Sequence, residues 1–143
     1  MKIFLDTNVL VSAFATRGLC SDVLRETLSF HQLVISTPLL TELERILKYK
    51  IKLPNDLITE SIDFLKQTSV MSVPFERSIP ELNDKDDIPV VNSALNGGVE
   101  LFVTGDKEIL KLKVIDQMMI VNPRSFWELI KSQQKDAPDH NRL

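Results

Sequence analysis

Short apolar runs alternate with segments of helical periodicity along almost the whole chain. Runs of consecutive apolar residues predict buried strands at 2–5, 33–36, 70–73, 101–104 and 118–121. Between them, apolar residues recur every three or four positions, which predicts helices over 8–14, 21–30, 37–49, 54–67, 86–96, 107–112 and 123–132. Strands separated by helices favour parallel pairing with both faces of the sheet covered. The pattern therefore predicts a three-layer α/β/α sandwich with a central parallel sheet of about five strands.

Residues that favour helix ends agree with this division. Thr37-Pro38 places a proline in the first turn of a helix, and Gly97-Gly98 ends another. The chain has 143 residues, which is enough for one domain and short for two. We expect a single domain over residues 1–132 and a polar, disordered tail over 133–143.

Composition adds limits on function. Apolar residues make up 43% of the chain and charged residues 26%, as in a protein with an ordinary core. A net charge of −3 argues against binding nucleic acid through bulk positive charge, although it allows a cleft in which bound cations reverse the local sign. No apolar stretch approaches a membrane span, and we expect a cytoplasmic protein. The single cysteine, Cys20, excludes an internal disulfide and reads as a core or helix-start residue.

Acidic residues fall where the predicted strands end. Asp6 follows the first strand directly, and Asp106 comes just after the fourth. Glu42 lies one turn into the helix after the second strand, and Asp87 lies in the first turn of the helix that leads to the fourth. Because ligand sites of open parallel sheets lie at the carboxyl ends of the strands, these four acids start from one edge of the sheet.

Crowded carboxylates need compensation, since like charges raise one another's pKa. Mg²⁺ or Mn²⁺ supplies it, because hard cations take oxygen ligands, and such a metal activates water against a phosphodiester. Taken singly, Asp6 or Asp87 is more readily explained as a helix cap, and Glu42 as a surface residue. The hypothesis of a metal site therefore depends on their joint placement.

Four sequence blocks also resemble a known family. They are Leu5-Asp6-Thr7-Asn8-Val9-Leu10-Val11-Ser12-Ala13, Thr37-Pro38-Leu39-Leu40-Thr41-Glu42-Leu43, residues 84–95, and Val103-Thr104-Gly105-Asp106. In this order they resemble the motifs of PIN-domain nucleases, over residues 1 to about 130. One Asp-Thr-Asn triplet is a weak signal, whereas four blocks in order at the expected spacing are a strong one.

The resemblance implies an Mg²⁺- or Mn²⁺-dependent ribonuclease whose metal-binding acids are Asp6, Glu42, Asp87 and Asp106. It also implies that Asn8, Thr104 and Asp86 support these acids. The branch that the chain resembles most comprises toxins of toxin–antitoxin pairs, which implies an RNA substrate, a small antitoxin partner and a homodimer.

The third block leaves one assignment open, because it offers three acids, Asp84, Asp86 and Asp87. The family spacing of seven residues before Ala94 favours Asp87, and Glu108 is a candidate outer acid. The block also departs from the family, which usually has small residues where this chain has Val91-Asn92-Ser93.

Two other classes of protein compete with the nuclease. A non-catalytic PIN-like scaffold or RNA-binding module would not need all four acids. A response regulator also has acids at strand ends, but it would need an aspartate after the third strand, where this chain has Ser72-Val73-Pro74.

Overall fold

The structure is a computed structural model that describes residues 1–136. The strands are β1 (Lys2–Leu5), β2 (Gln32–Ser36), β3 (Val70–Ser72), β4 (Leu101–Val103), β5 (Val114–Ile115) and β6 (Met118–Val121). The helices in this part of the chain are α1 (Thr7–Ala15), α2 (Leu19–Phe30), α3 (Thr37–Tyr49), α4 (Asn55–Thr68), α5 (Asp87–Asn96), α6 (Lys107–Leu110) and α7 (Pro123–Asp136).

The strands form one six-stranded sheet in the order β3-β2-β1-β4-β6-β5. All neighbouring pairs are parallel except β5 and β6, which are antiparallel. The order runs outward from β1 through β2 to β3 on one side, and from β4 onward on the other. The strand order therefore reverses between β1 and β4. In such a sheet the ligand usually binds in the crevice at the carboxyl ends of the strands that flank this reversal.

Helices cover both faces of the sheet, as the predicted three-layer architecture requires. Ile3, Phe4 and Leu5 are all fully buried, although successive residues of a strand point to opposite faces. Phe4 pairs in register with Phe102 of β4, and their rings stack with centroids 5.2 Å apart. The core is thus centred on the two strands that flank the change of direction.

The element pattern matches the prediction with a few differences at the ends. α2 begins two residues earlier than expected, and α6 ends at Leu110 rather than at residue 112. The sequence pattern missed β5, because a two-residue strand is too short to show a period. α7 runs to Asp136, beyond the expected end at residue 132, so the tail predicted over 133–143 begins as helix. The remainder of that tail, 137–143, lies outside the described residues.

No helix within residues 1–136 combines the length and the apolar character that a bilayer crossing would need.

Candidate active site

Asp6 and Asp106 lie at the point where the sheet changes direction. Asp6 follows β1 and caps α1, and its backbone N–H donates to the carbonyl of Val103 at 2.9 Å. Asp106 follows β4 by three residues and caps α6, where its Oδ1 accepts from the N–H of Glu108 at 2.8 Å. The expectation that these two acids follow adjacent strands is therefore confirmed.

Two polar side chains hold these acids in place. Thr104 is fully buried, and its hydroxyl donates to Asp6 Oδ2 at 2.7 Å while it accepts from the N–H of Asp106 at 3.0 Å. Asn8 Nδ2 donates to the same carboxylate oxygen at 3.3 Å, and Asn8 Oδ1 accepts from the N–H of Gly105 at 2.9 Å. One hydroxyl and one amide thus join the end of β1 to the turn after β4.

Glu42 comes from α3, which packs against α1. The helix starts at a buried cap, where Ser36 Oγ accepts from the N–H of Leu39 at 3.4 Å. Glu42 follows one turn later and is half-buried. Its pKa is raised chiefly by burial and next by the charge of Asp6, the residue that caps α1.

α5 carries Asp87, and a network of serines fixes this helix. Ser93 Oγ donates a hydrogen bond to Ser36 Oγ at 2.8 Å, and the carbonyl of Ser93 accepts one from Ser72 Oγ at 2.8 Å. These contacts join α5 to the ends of β2 and β3. At Gly97, an added Cβ would lie 2.8 Å from Val34 Cγ1, so the end of α5 approaches β2 more closely than a side chain allows.

The four acids influence one another electrostatically. Burial is the largest cause that raises the pKa of Asp87 to about 7, and the charges of four other acids contribute to the same rise: Asp84, Asp106, Asp6 and Glu42. Burial likewise raises the pKa of Asp6, although hydrogen bonds from Thr104 and Thr7 oppose that rise. Folding therefore brings Asp6, Glu42, Asp87 and Asp106 into one field, and we call these four residues the acidic cluster.

The other acids of the third block occupy different positions. Asp84 is exposed; its Oδ1 accepts from the N–H of Asp86 at 2.9 Å, and its charge acts on Asp87. Asp86 is exposed at the cap position of α5 and makes no capping hydrogen bond there. Glu108 Oε1 accepts from Asn83 at 3.1 Å, which connects α6 to the loop before α5.

The donor chemistry of the cluster fits a hydrated hard cation. Among residues 1–136, no three His, Cys, Asp or Glu side chains converge tightly enough to enclose an ion. An open group of carboxylates suits Mg²⁺, which keeps several waters and takes only one or two carboxylates directly.

Sequence reasoning missed the residues that position α5. Asn92 is buried, and its Nδ2 donates to the carbonyl of Arg77 at 2.8 Å, which anchors the loop before the helix. Ser93 belongs to the serine network. Asn92 and Ser93 are two of the three residues at which the third block departs from the small-residue pattern, and polar residues at buried helix positions were the available signal.

The fold and the acidic cluster together define an α/β protein with carboxylates at the point where the strand order of a mostly parallel sheet reverses. The profile of the PIN-domain family matches residues 2–108. The chain belongs to the PIN-domain family.

Solved structures share the fold, among them a chain of the crystal structure of VapBC2 from Rickettsia felis bound to a DNA fragment from their promoter, with a TM-score of 0.58 and 18% sequence identity. The similarity covers 85% of the present chain and 98% of that one. At this identity the likeness concerns the fold alone. A comparison with curated protein sequences found no match.

Proposed function

We propose that this protein is a Mg²⁺- or Mn²⁺-dependent endoribonuclease that hydrolyses phosphodiester bonds at the acidic cluster. The observation that carries the proposal is that the Thr104 hydroxyl holds both Asp6 and Asp106 at the ends of adjacent strands. The raised pKa of Asp87, about 7, agrees with it. A group of carboxylates that destabilise one another gains most from a divalent cation. Membership of the PIN-domain family agrees with a nuclease.

The four acids share one task in this mechanism, and two polar side chains support them. Asp6, Glu42, Asp87 and Asp106 would hold the cation, which when bound lowers the pKa of a coordinated water and neutralises charge on the phosphate. Thr104 and Asn8 fix the Asp6 carboxylate through hydrogen bonds of 2.7 and 3.3 Å. Asp87 must release its proton when the cation binds. Metal binding should therefore depend on pH near neutrality.

We infer further that the protein is a toxin held inactive by a small antitoxin, in the cytoplasm. The fold likeness to a chain of the VapBC2 structure and membership of the PIN-domain family support this biological setting. We also propose that the protein forms a homodimer. The test is co-expression with the small gene next to its own: a stable complex that suppresses cleavage supports it, and free toxin in the presence of that product contradicts it. Sedimentation of the purified chain measures the dimer.

The alternative is a non-catalytic PIN-like scaffold or RNA-binding module. Asp6 argues against it, because a buried carboxylate with a raised pKa costs stability that a scaffold has no reason to bear.

The metal test measures cleavage of a mixed-sequence RNA with Mg²⁺, with Mn²⁺ and with EDTA. We expect cleavage only with the divalent ions. Asp6→Asn keeps the size of the side chain but removes its charge, so cleavage should fall by about 100-fold or more. Asp63→Asn, on the exposed face of α4, is the matched control and should cleave like the wild type.

Three outcomes decide between the hypotheses. Full activity in EDTA would rule out the metal mechanism. Equal cleavage by the wild type and by Asp6→Asn would show that the cluster is not the site. RNA binding without cleavage under either metal would favour the scaffold. Asp84→Asn, Asp86→Asn and Asp87→Asn, compared in the same assay, identify the third ligand, and we expect the largest loss at Asp87.

A further inference from the structure

A pocket opens beside the acidic cluster, between the start of α1 and the turn after β4. Its volume is about 370 Å³, and its lining includes Asn8, Ser12, Cys20, Asp106 and Pro123. We call it the side pocket. It shares Asp106 with the acidic cluster, so a molecule in the pocket would lie next to the reacting bond. Larger cavities of about 570 and 680 Å³ elsewhere in the described chain contain no acid of the cluster.

The walls of the side pocket combine apolar and polar surfaces. Pro123 and the half-exposed thiol of Cys20 give apolar surface, since a free cysteine behaves as a small hydrophobe. Ser12 and Asn8 place a hydroxyl and an amide among them. A nucleobase has the same combination, with flat apolar faces and a polar edge. The volume lies at the low end of small-molecule sites, which suits one base.

Two cationic residues are sequence neighbours of residues that line the side pocket, although the chain as a whole is acidic. Lys107 directly follows Asp106, and Arg124 directly follows Pro123. Both residues are exposed, and neither makes an ion pair with another residue that the structure describes. Two such cations complement the phosphates on either side of a nucleotide, where phosphate contacts set position and base contacts set selectivity.

We propose that the side pocket binds the base of an unpaired nucleotide next to the scissile phosphate, with Lys107 and Arg124 on the flanking phosphates. This inference rests on the proposed nuclease function and adds to it a subsite for one base. A base in a helix is stacked and paired on its polar edge, so it cannot enter a pocket without being extruded.

Cys20 provides a direct probe, because it is the single cysteine of the chain and lines the pocket. The experiment measures the alkylation rate of Cys20 by a maleimide in EDTA, where we expect no cleavage, and the Kd for RNA is measured in the same buffer. We compare a short single-stranded RNA, its duplex, and a strand of equal length made of abasic nucleotides. With RNA at ten times its Kd, we expect alkylation to slow by about tenfold. The duplex and the abasic strand should protect much less.

The control for reagent access moves the thiol away from the pocket. In Cys20→Ser/Thr59→Cys the thiol lies on the exposed face of α4, and RNA should leave its alkylation unchanged. A second test fills the pocket: Ser12→Phe should weaken RNA binding by about tenfold or more, whereas Ser29→Phe, on the exposed surface of α2, should not. Circular dichroism verifies folding in each case.

The outcomes separate this inference from the proposed function. Equal protection by the abasic strand, or RNA binding without protection of Cys20, overturns the base pocket even when the protein cleaves RNA. Protection by the base-bearing strand supports it. If the protein then fails to cleave with Mg²⁺ or Mn²⁺, the nuclease proposal alone is lost.

Discussion

At the scale of single residues, Asp87 is an acid whose protonation depends on folding. Its pKa rises from 3.8 to about 7, because burial and neighbouring carboxylates disfavour its charge. Between these two values the folded, metal-free protein retains a proton that the unfolded chain has released. The protonated form thus contributes stability that is complete below about pH 4 and is lost as the pH rises through 7.

A pH series of melting temperatures in EDTA tests this sign. Between about pH 5 and pH 8 the wild type should lose more stability than Asp87→Asn, which cannot ionise at this position. At about pH 8 the variant should have the higher Tm, and added Mg²⁺ should raise the wild type more than the variant. Asp63→Asn serves as the surface control and should follow the wild type. Parallel curves for Asp87→Asn and the wild type would contradict the raised pKa.

At the scale of elements, the close approach of α5 to β2 determines where Asp87 lies. The distance of 2.8 Å from a Cβ at Gly97 to Val34 is shorter than real Cβ contacts, and Ser72 lies 3.1 Å away. A side chain at this position must therefore shift the helix or the strand. Because Gly97 caps the helix that begins at Asp87, such a shift reaches the acidic cluster.

Gly97→Ala should accordingly reduce stability by about 1–3 kcal/mol, as overpacking does, and weaken metal-dependent cleavage at equal folded concentration. Urea denaturation measures the first effect and the RNA assay the second. Gly18→Ala is the matched control, because nothing lies within 4 Å of its added Cβ and its φ of 164° is extended backbone. If the two alanine variants are equally stable, the contact at Gly97 does not constrain α5.

Helices and strands with a clear hydrophobic periodicity could be predicted from the sequence. Elements that depend on tertiary contacts were harder to predict. The bounds of β1, α3 and β6 agree with the prediction, because each has an unbroken apolar pattern or a clear start signal. β5 depends on its pairing with β6, and nothing local in two residues indicates that pairing. The positions of Asp6 and Asp106 were predictable from strand ends, whereas the contacts of Ser93 and Asn92 require the packed structure.

At the scale of the whole molecule, the core and the site share the same two strands. Phe4 and Phe102 are fully buried, and their rings stack across β1 and β4. Phe4 lies two residues before Asp6, and Phe102 lies two residues before Thr104. Packing in the centre of the sheet therefore sets the distance between the strand ends that present Asp6 and Asp106.

Phe102→Ala should lower the free energy of unfolding by about 3–5 kcal/mol, because it leaves a cavity in the centre of the sheet. Phe30→Ala makes the same chemical change at a side chain that is 70% exposed, and it should cost less than about 0.5 kcal/mol. Urea denaturation of both variants measures the difference. A small loss at Phe102 would mean that the stacked pair does not carry the core.

The long connection between β3 and α5 gives the chain a natural point of inactivation. Residues 73–86 contain neither helix nor strand, and most of them are exposed. Asp6 and Glu42 precede this segment, whereas Asp87 and Asp106 follow it. A single proteolytic cut here would divide the four carboxylates two and two, so that neither fragment alone would carry all of them.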